Sequence, residues 1–304
     1  MVRVGRRVER PTRTSLGDHS SKTCEGGAAM TITILNSFFG VAVLILSAAG
    51  LVVVFGLMKV VNFAHGEAMM LGAYVALIAR DWMPFWLGIV VAGIGIGVLG
   101  VVIERLLIRR LYRRILDTIL ATWGLGLLIR ELIGAFDPGY SSLDAPFDAP
   151  VSILGSDFSA YRLFIIAFAA VLLTAMWVIE RFTSLGKTVR AVISDPDLAR
   201  GIGINVDRVY ALSFGTGWLL AGVAGALLAP MVTIAPTMGG NFLVGGFLTT
   251  ILAGPTLLGI GPAAGLLGGT GGIFATIADA TTASIAVLVV AMIAMKIKDS
   301  RSGR

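Results

Sequence analysis

Apolar stretches bounded by charged clusters occupy residues 32–57, 82–103, 115–136, 163–179, 210–230 and 284–297. Each is continuous enough to cross a bilayer, whose hydrocarbon core takes about 20 helical residues. Three further stretches, 67–79, 240–253 and 263–278, are short or interrupted by Gly, Pro or charge. Backbone groups freed at membrane depth persist only where protein or a water-filled cavity satisfies them, so these breaks are where a permeation path is sought. The pattern predicts an all-α, polytopic transmembrane helix bundle of about eight spans, with broken or re-entrant helices.

Composition agrees. Of 304 residues, 56% are hydrophobic and 14% charged, against roughly 45–50% and about 25% in an ordinary soluble domain, which excludes a soluble globular protein. The charge is uneven: Arg3, Arg6, Arg7, Arg10, Arg13 and Lys22 crowd a polar tail, residues 1–29, ahead of a membrane body spanning 30–298 and a short tail at 299–304. The first apolar run starts too late and runs too long for a secretory signal. Met30 opens the stretch MTITILNSFFG and is a candidate start, so residues 1–29 are expected to be disordered or a start-site artefact. Cys24 is the one cysteine, which rules out an intrachain disulfide or a cysteine-built metal site. With only His19 and His65, a His-rich metal site is not expected either. The formal net charge is +6, but the basic residues lie between apolar runs rather than on one soluble face, so nucleic-acid binding is not expected.

Lys and Arg in short loops set orientation. Arg105, Arg109, Arg110, Arg113 and Arg114 cluster in 104–114, Arg181, Lys187, Arg190, Arg200 and Arg208 in 180–208, and Lys296, Lys298, Arg301 and Arg304 at the C-terminus. These three segments are placed on the cytoplasmic side. The 137–162 segment carries Asp137, Asp144, Asp148 and Asp157 against Arg162 and is placed outside. If 67–79 crosses, three crossings precede Glu104 and the N-terminus lies outside, the arrangement expected here.

The 180–208 loop has its own structure signals. Asp195 before Pro196 is an N-cap with Pro at the first helical position, Asp197 suits the positive end of the dipole, and Gly201 can close the helix. Asn205 caps the next helix, with Asp207 in its first turn. Two capped helices make a rigid protrusion suited to docking a partner, or a well-behaved connector. At the break 61–67, Asn62, His65 and Glu67 are polar groups at membrane depth and therefore functional candidates. They serve as a translocation lining, a proton relay or a metal pair, or else satisfy loose backbone ends, with Glu67 favoured near a helix N-terminus.

Other patterns carry less. Gly95-x-Gly97-x-x-Gly100 has the dinucleotide spacing but no preceding strand, and reads as helix packing. Gly186-Lys187-Thr188 resembles the end of a phosphate loop, yet Arg181 stands where the first glycine is required. Gly261, Gly265 and Gly269, and likewise Gly268 and Gly272, lie four apart and read as close helix-packing faces. Arg130, Glu131 and Asp279 sit at membrane edges and read as snorkelling side chains.

On these residues the chain resembles the membrane permeases of branched-chain amino acid ABC importers, whose close relatives carry urea and short amides. VNFAHGEAMMLGAY (61–74) is similar to the family's most recognisable stretch, as are LDTILATWGL (116–125) and the loop and helix at 185–228. The likeness runs from about Met30 to Gly269. It implies that Arg190, Ala191, Asp197, Ala199, Gly203 and Ile204 couple to a cytoplasmic ATPase. It further implies a second homologous permease subunit, one or two ATPase subunits and an external substrate-binding protein, all at the bacterial inner membrane. No cofactor is expected on this chain, ATP and Mg belonging to the ATPase subunits; this chain is not expected to be an enzyme. The sequence departs from the family after LAGP (252–255), where Pro255, Thr256 and Leu257 replace a Gly-Gly-x-Gly turn. A urea or short-amide permease is the alternative, and an intramembrane enzyme or secondary transporter using His65 and Glu67 a more remote one.

Overall fold

The computed structural model describes residues 18–302 apart from 60, 113, 138, 154, 155, 255 and 278, with backbone alone for 18–29, 277, 280, 299, 301 and 302. Arg113, Pro255 and the arginines of the tail therefore lie outside the described residues. Eleven helices follow in order: α1 (Asp18–Met58), α2 (His65–Ala79), α3 (Phe85–Leu106), α4 (Ile115–Phe136), α5 (Ala160–Phe182), α6 (Ser184–Ser194), α7 (Pro196–Gly201), α8 (Val206–Leu228), α9 (Met238–Ala253), α10 (Ile260–Ile277) and α11 (Ala280–Ser302). Seven of the helical stretches are long and apolar enough to cross a membrane.

The core is built on α1 and α8, the two most buried spans. Small residues let them and their neighbours close up. A Cβ on Gly225 of α8 would collide with the Met69 carbonyl of α2, and one on Gly72 with Gly222. Gly97 and Gly100 of α3 press on Leu219 and Trp218 of α8, while Gly95 meets nothing, so two of the three glycines of the G-x-G-x-x-G spacing serve packing. At the outer end, Phe85, Trp86, Phe147, Tyr161 and Phe164 form an aromatic cluster, and the Tyr161 hydroxyl donates to the Leu227 carbonyl at 2.7 Å.

Helices α2 and α9 have 15 and 16 residues, about 22 and 24 Å at 1.5 Å per residue, short of the ~30 Å hydrocarbon core. Each is the second half of a crossing. The chain leaves α1 at Met58, turns at Lys59 with φ of 51°, and climbs through 61–64 to His65. The His65 ring meets the Ser47 carbonyl at 3.1 Å; Ser47 lies eleven residues before Met58, about 16 Å up the helix. Helix α2 thus starts near mid-membrane and runs outward to Arg80, which donates to the Ser142 carbonyl at 3.1 Å. In the second case Ile234 bridges to Ser141 on the outer side, the chain descends through 235–237, and α9 ends near Lys298, whose ammonium donates to the Leu252 carbonyl at 2.9 Å. With these two the described residues make nine crossings, one more than the eight or so expected, because the short helices complete theirs with extended chain. Arg162 at the start of α5 donates to Asn36 of α1 at 3.1 Å, which places the start of the first span on the same side as the acidic 137–162 segment.

Several expectations change. The 263–278 stretch is not broken: α10 runs through it, because glycines in a membrane helix are held by close neighbours. The neighbour is α1, and the close face is Gly268 on Val41 and Gly272 on Ser37. Gly261 makes only an ordinary contact with Leu173, and Gly265 and Gly269 face open space, so the packing stripe within the chain is the adjacent one. Helix α1 extends back to Asp18 and α11 forward to Ser302, making part of each polar tail helical. The outer segment carries an antiparallel hairpin, β1 (Pro150–Ile153) with β2 (Ser156–Ser159), Val151 opposite Phe158.

Candidate functional site

Two places bring the candidate residues together. The first is the break before α2. Asn62 accepts the Ala64 N–H on Oδ1 at 3.1 Å, an Asx turn that starts the helix from an extended segment. The Phe63 N–H donates to Thr122 Oγ1 of α4 at 3.2 Å. The Ser47 carbonyl can only accept, so Nε2 of His65 carries the proton in this bond and Nδ1 holds the lone pair. Asn62, His65 and Glu67 are all buried.

Glu67 does not cap α2. Its Oε1 takes a short ion pair from Arg130 of α4, so Arg130 turns into the bundle instead of snorkelling to the membrane edge as expected. A partner 63 positions away is invisible to local reading, yet a signal exists. Thr118, Thr122, Gly126 and Arg130 recur every four residues, and a Cβ added to Gly126 would lie 3.6 Å from Glu67 Cγ, so one face of α4 lies along the break. Behind Glu67, a Cβ on Gly239 would collide with Glu67 Oε2 and with the Gly66 carbonyl. The N-termini of α2 and α9 therefore meet at this carboxylate, and both present the positive ends of their dipoles to it. Asn62 Nδ2, His65 Nδ1, Glu67 Oε2 and Arg130 Nε have no hydrogen-bond partner among the described residues. No group of three or more metal-ligating side chains occurs among the described residues.

The second place is the cytoplasmic loop. Asp195 caps α7 through the N–H groups of Asp197 and Leu198, at 2.9 and 3.0 Å. Asn205 caps α8 through the Arg208 N–H at 3.0 Å. The left-handed residue is Gly203, φ 90°, rather than Gly201, which ends the helix. Of the six residues assigned to coupling, Ala199 is buried and Ile204 partly so, in a cluster with Leu57 of α1, Val192 and Val206. Arg190 donates to the Glu180 carbonyl at the end of α5, Ala191 is half-buried, and Asp197 is exposed and pairs with Arg200 at 2.8 Å. Arg190, Ala199 and Ile204 thereby seat α6 and α7 on the inner ends of the spans. Beside the exposed Asp197–Arg200 pair, the loop offers two apolar side chains outward, Leu198 at 65% and Ile202 at 69% exposure, which the sequence reading overlooked.

Beside the loop, the fully buried Glu104 at the end of α3 accepts from Arg109 Nη2 at 3.3 Å and, in a short bond, from the Tyr112 hydroxyl. Arg109 also reaches the Asp207 carbonyl at 3.4 Å, and Tyr112 packs edge-on against Tyr210. Burial first, and the bond to Glu104 second, push the Tyr112 hydroxyl above the ordinary tyrosine range. This cluster ties the α3–α4 connection to the first turn of α8.

A family model described as the permease component of the branched-chain amino acid transport system matches residues 33–296. The chain is 32% identical over 235 positions to the high-affinity branched-chain amino acid transport system permease protein LivH of Salmonella typhimurium, covering 69% of this chain and 74% of the relative. It is 30% identical over 267 positions to LivH of Escherichia coli K12, covering 79% and 81%. It is 28% identical over 271 positions to BraD of Pseudomonas aeruginosa, covering 79% and 82%. No solved structure matches significantly.

Proposed function

Because the chain belongs to the permease-component family of branched-chain amino acid transport systems, we propose that it is the transmembrane permease subunit of an ATP-driven importer of branched-chain amino acids, working in the inner membrane. Its partners in this reading are a second homologous permease, one or two cytoplasmic ATPase subunits that bind ATP and Mg, and an external binding protein that selects the solute. The observation that carries it is the α6–α7 protrusion. Helices α6 and α7 are seated on α1, α5 and α8 and expose Leu198 and Ile202 to the cytoplasmic side. A push on such a protrusion is transmitted to the spans because Val192 and Ala199 share one buried cluster with Val206 and with Leu57, six residues from the break at Phe63. Arg190, Ala191, Asp197, Ala199, Gly203 and Ile204 hold the protrusion's shape, and Asn62, His65 and Glu67 line or control the path where two half-helices meet. ATP-driven closure tilts the spans about these breaks and alternates access.

The test is reconstitution with the partner subunits in proteoliposomes. ATP-dependent leucine uptake is expected, and Gly203→Val abolishes it with the complex still assembled, since a β-branched residue is strained at that φ. Undiminished uptake by that variant removes the coupling assignment, and uptake without ATPase subunits makes the chain a secondary transporter. Asn62→Ala and His65→Ala that leave uptake and assembly intact remove the path assignment.

A further inference from the structure

The pair formed by Glu67 and Arg130 is an unusual use of charge. Two opposite ions lie near mid-membrane, where intramembrane charges are costly and mark function, yet neither is saturated. Glu67 uses one oxygen and leaves Oε2 without a partner, and Arg130 leaves Nε free, among the described residues. A structural pair of this kind normally spends every donor and acceptor, because a partly satisfied buried network is worse than an apolar one. Asn62 Nδ2 and His65 Nδ1 are unpartnered close by in sequence and equally buried, and so is the Tyr74 hydroxyl seven residues along α2, on the face that carries Glu67.

Exposure is asymmetric. The Glu67 side chain is 4% exposed and that of Arg130 31%. Arg130 belongs to α4, one of the spans with least of its surface covered within the chain. A solute arriving along α4 meets the guanidinium first and the carboxylate behind it. The N-termini of α2 and α9 flank that carboxylate, so the region has positive potential at its back as well as its front.

We propose that the Glu67–Arg130 pair is an exchange site for a zwitterion, an inference that rests on the path reading of the break given above. An α-amino acid carries the same two charges as the pair. Its carboxylate takes the two-pronged face of Arg130 and its ammonium takes the Glu67 oxygens, so each ion trades one partner for another and no charge is left alone in low dielectric. The unpartnered Asn62 and His65 nitrogens supply further polar contacts for the headgroup. The side chain of the solute makes no charge demand here, which leaves its selection to apolar neighbours and to the binding protein. Urea or a short amide offers neither charge and cannot replace either partner, so the site separates amino acids from neutral polar solutes.

The test uses the permease–ATPase complex in nanodiscs, without binding protein, read by saturation-transfer NMR. The probes are millimolar L-leucine, 4-methylpentanoate (which lacks the ammonium), 3-methylbutylamine (which lacks the carboxylate) and acetamide. The wild-type complex transfers saturation to leucine at least fivefold more strongly than to the other three. Glu67→Gln erases the preference for leucine over 4-methylpentanoate and keeps that over 3-methylbutylamine. Arg130→Gln does the reverse. Equal signals from all four probes in the wild type overturn the proposal without need of any variant, and a leucine preference unchanged in both variants overturns its assignment to this pair. If the probes show no preference while Asn62→Ala still stops uptake, the path reading stands and the zwitterion site falls. If the crossed pattern appears but Asn62→Ala and His65→Ala transport normally, the path reading fails instead.

Discussion

At the scale of single residues, Arg130 puts a permanent charge two turns beyond Thr122 on the face of α4 that lies along the break. Removing it strands the Glu67 carboxylate against Gly239 with no counter-ion. Arg130→Ala is expected to cost about 1–3 kcal/mol, the penalty of a buried polar group left unsatisfied. Arg130→Lys should recover much of this, and both are read as thermal unfolding in detergent. Tyr112 gives a pH signature. Its hydroxyl is held above the ordinary range, by burial and then by Glu104, so the folded protein keeps this proton where the unfolded chain loses it. The stabilisation is complete below about pH 10, the unfolded value, and is lost progressively as pH rises past it. An unfolding series from pH 8 to pH 11 should show that decline, and Tyr112→Phe should flatten it. Local reading found Asn62, His65 and Glu67 because polar residues interrupt an apolar run. It missed the role of Arg130 because the partner lies 63 positions away, and the four-residue recurrence of Thr118, Thr122, Gly126 and Arg130 marks a face of α4 without naming what that face meets.

At the scale of elements, the glycines sort by what they touch. Gly225→Val drives a side chain into the Met69 carbonyl of α2 and is expected to cost about 1–3 kcal/mol or more from overpacking. Gly265→Ala, facing open space, should leave the stability of the isolated chain unchanged within about 0.5 kcal/mol. Detergent unfolding curves of the two variants check the contrast. Sequence spacing marked both glycine stripes of α10 as packing faces but could not choose between them, since residues 265 and 268 differ by less than one helical turn. On the cytoplasmic side the caps at Asp195 and Asn205 were legible, because capping is a local bond between a side chain and its own helix. The outward face was not. Leu198→Ser together with Ile202→Ser is expected to weaken ATPase binding at least tenfold in a pull-down, with the fold intact, since both side chains are exposed in the chain alone.

At the scale of the whole molecule, nine crossings place the two ends of the bundle on opposite sides. With Cys24 replaced by Ser, a cysteine at the exposed Tyr140 should react with an impermeant maleimide in intact cells, and one at Ser300 only after permeabilisation. Apolar run length determined by itself that the chain is an all-helical membrane protein and that 67–79 and 240–253 are incomplete spans, while loop charge sets the expectation of which loops face the cytoplasm. Those properties are one-dimensional, since a bilayer demands about 20 apolar residues per helix and sorts Lys and Arg by side wherever the helices lie. Only the tertiary structure decided that the two incomplete spans start at one point, Gly66 against Gly239, that α10 is continuous, and that Glu67 pairs with Arg130 rather than capping its own helix. Each of these is a contact between segments far apart in the chain, where close approach of backbones sets the geometry and the low dielectric leaves a buried charge no alternative but a distant partner.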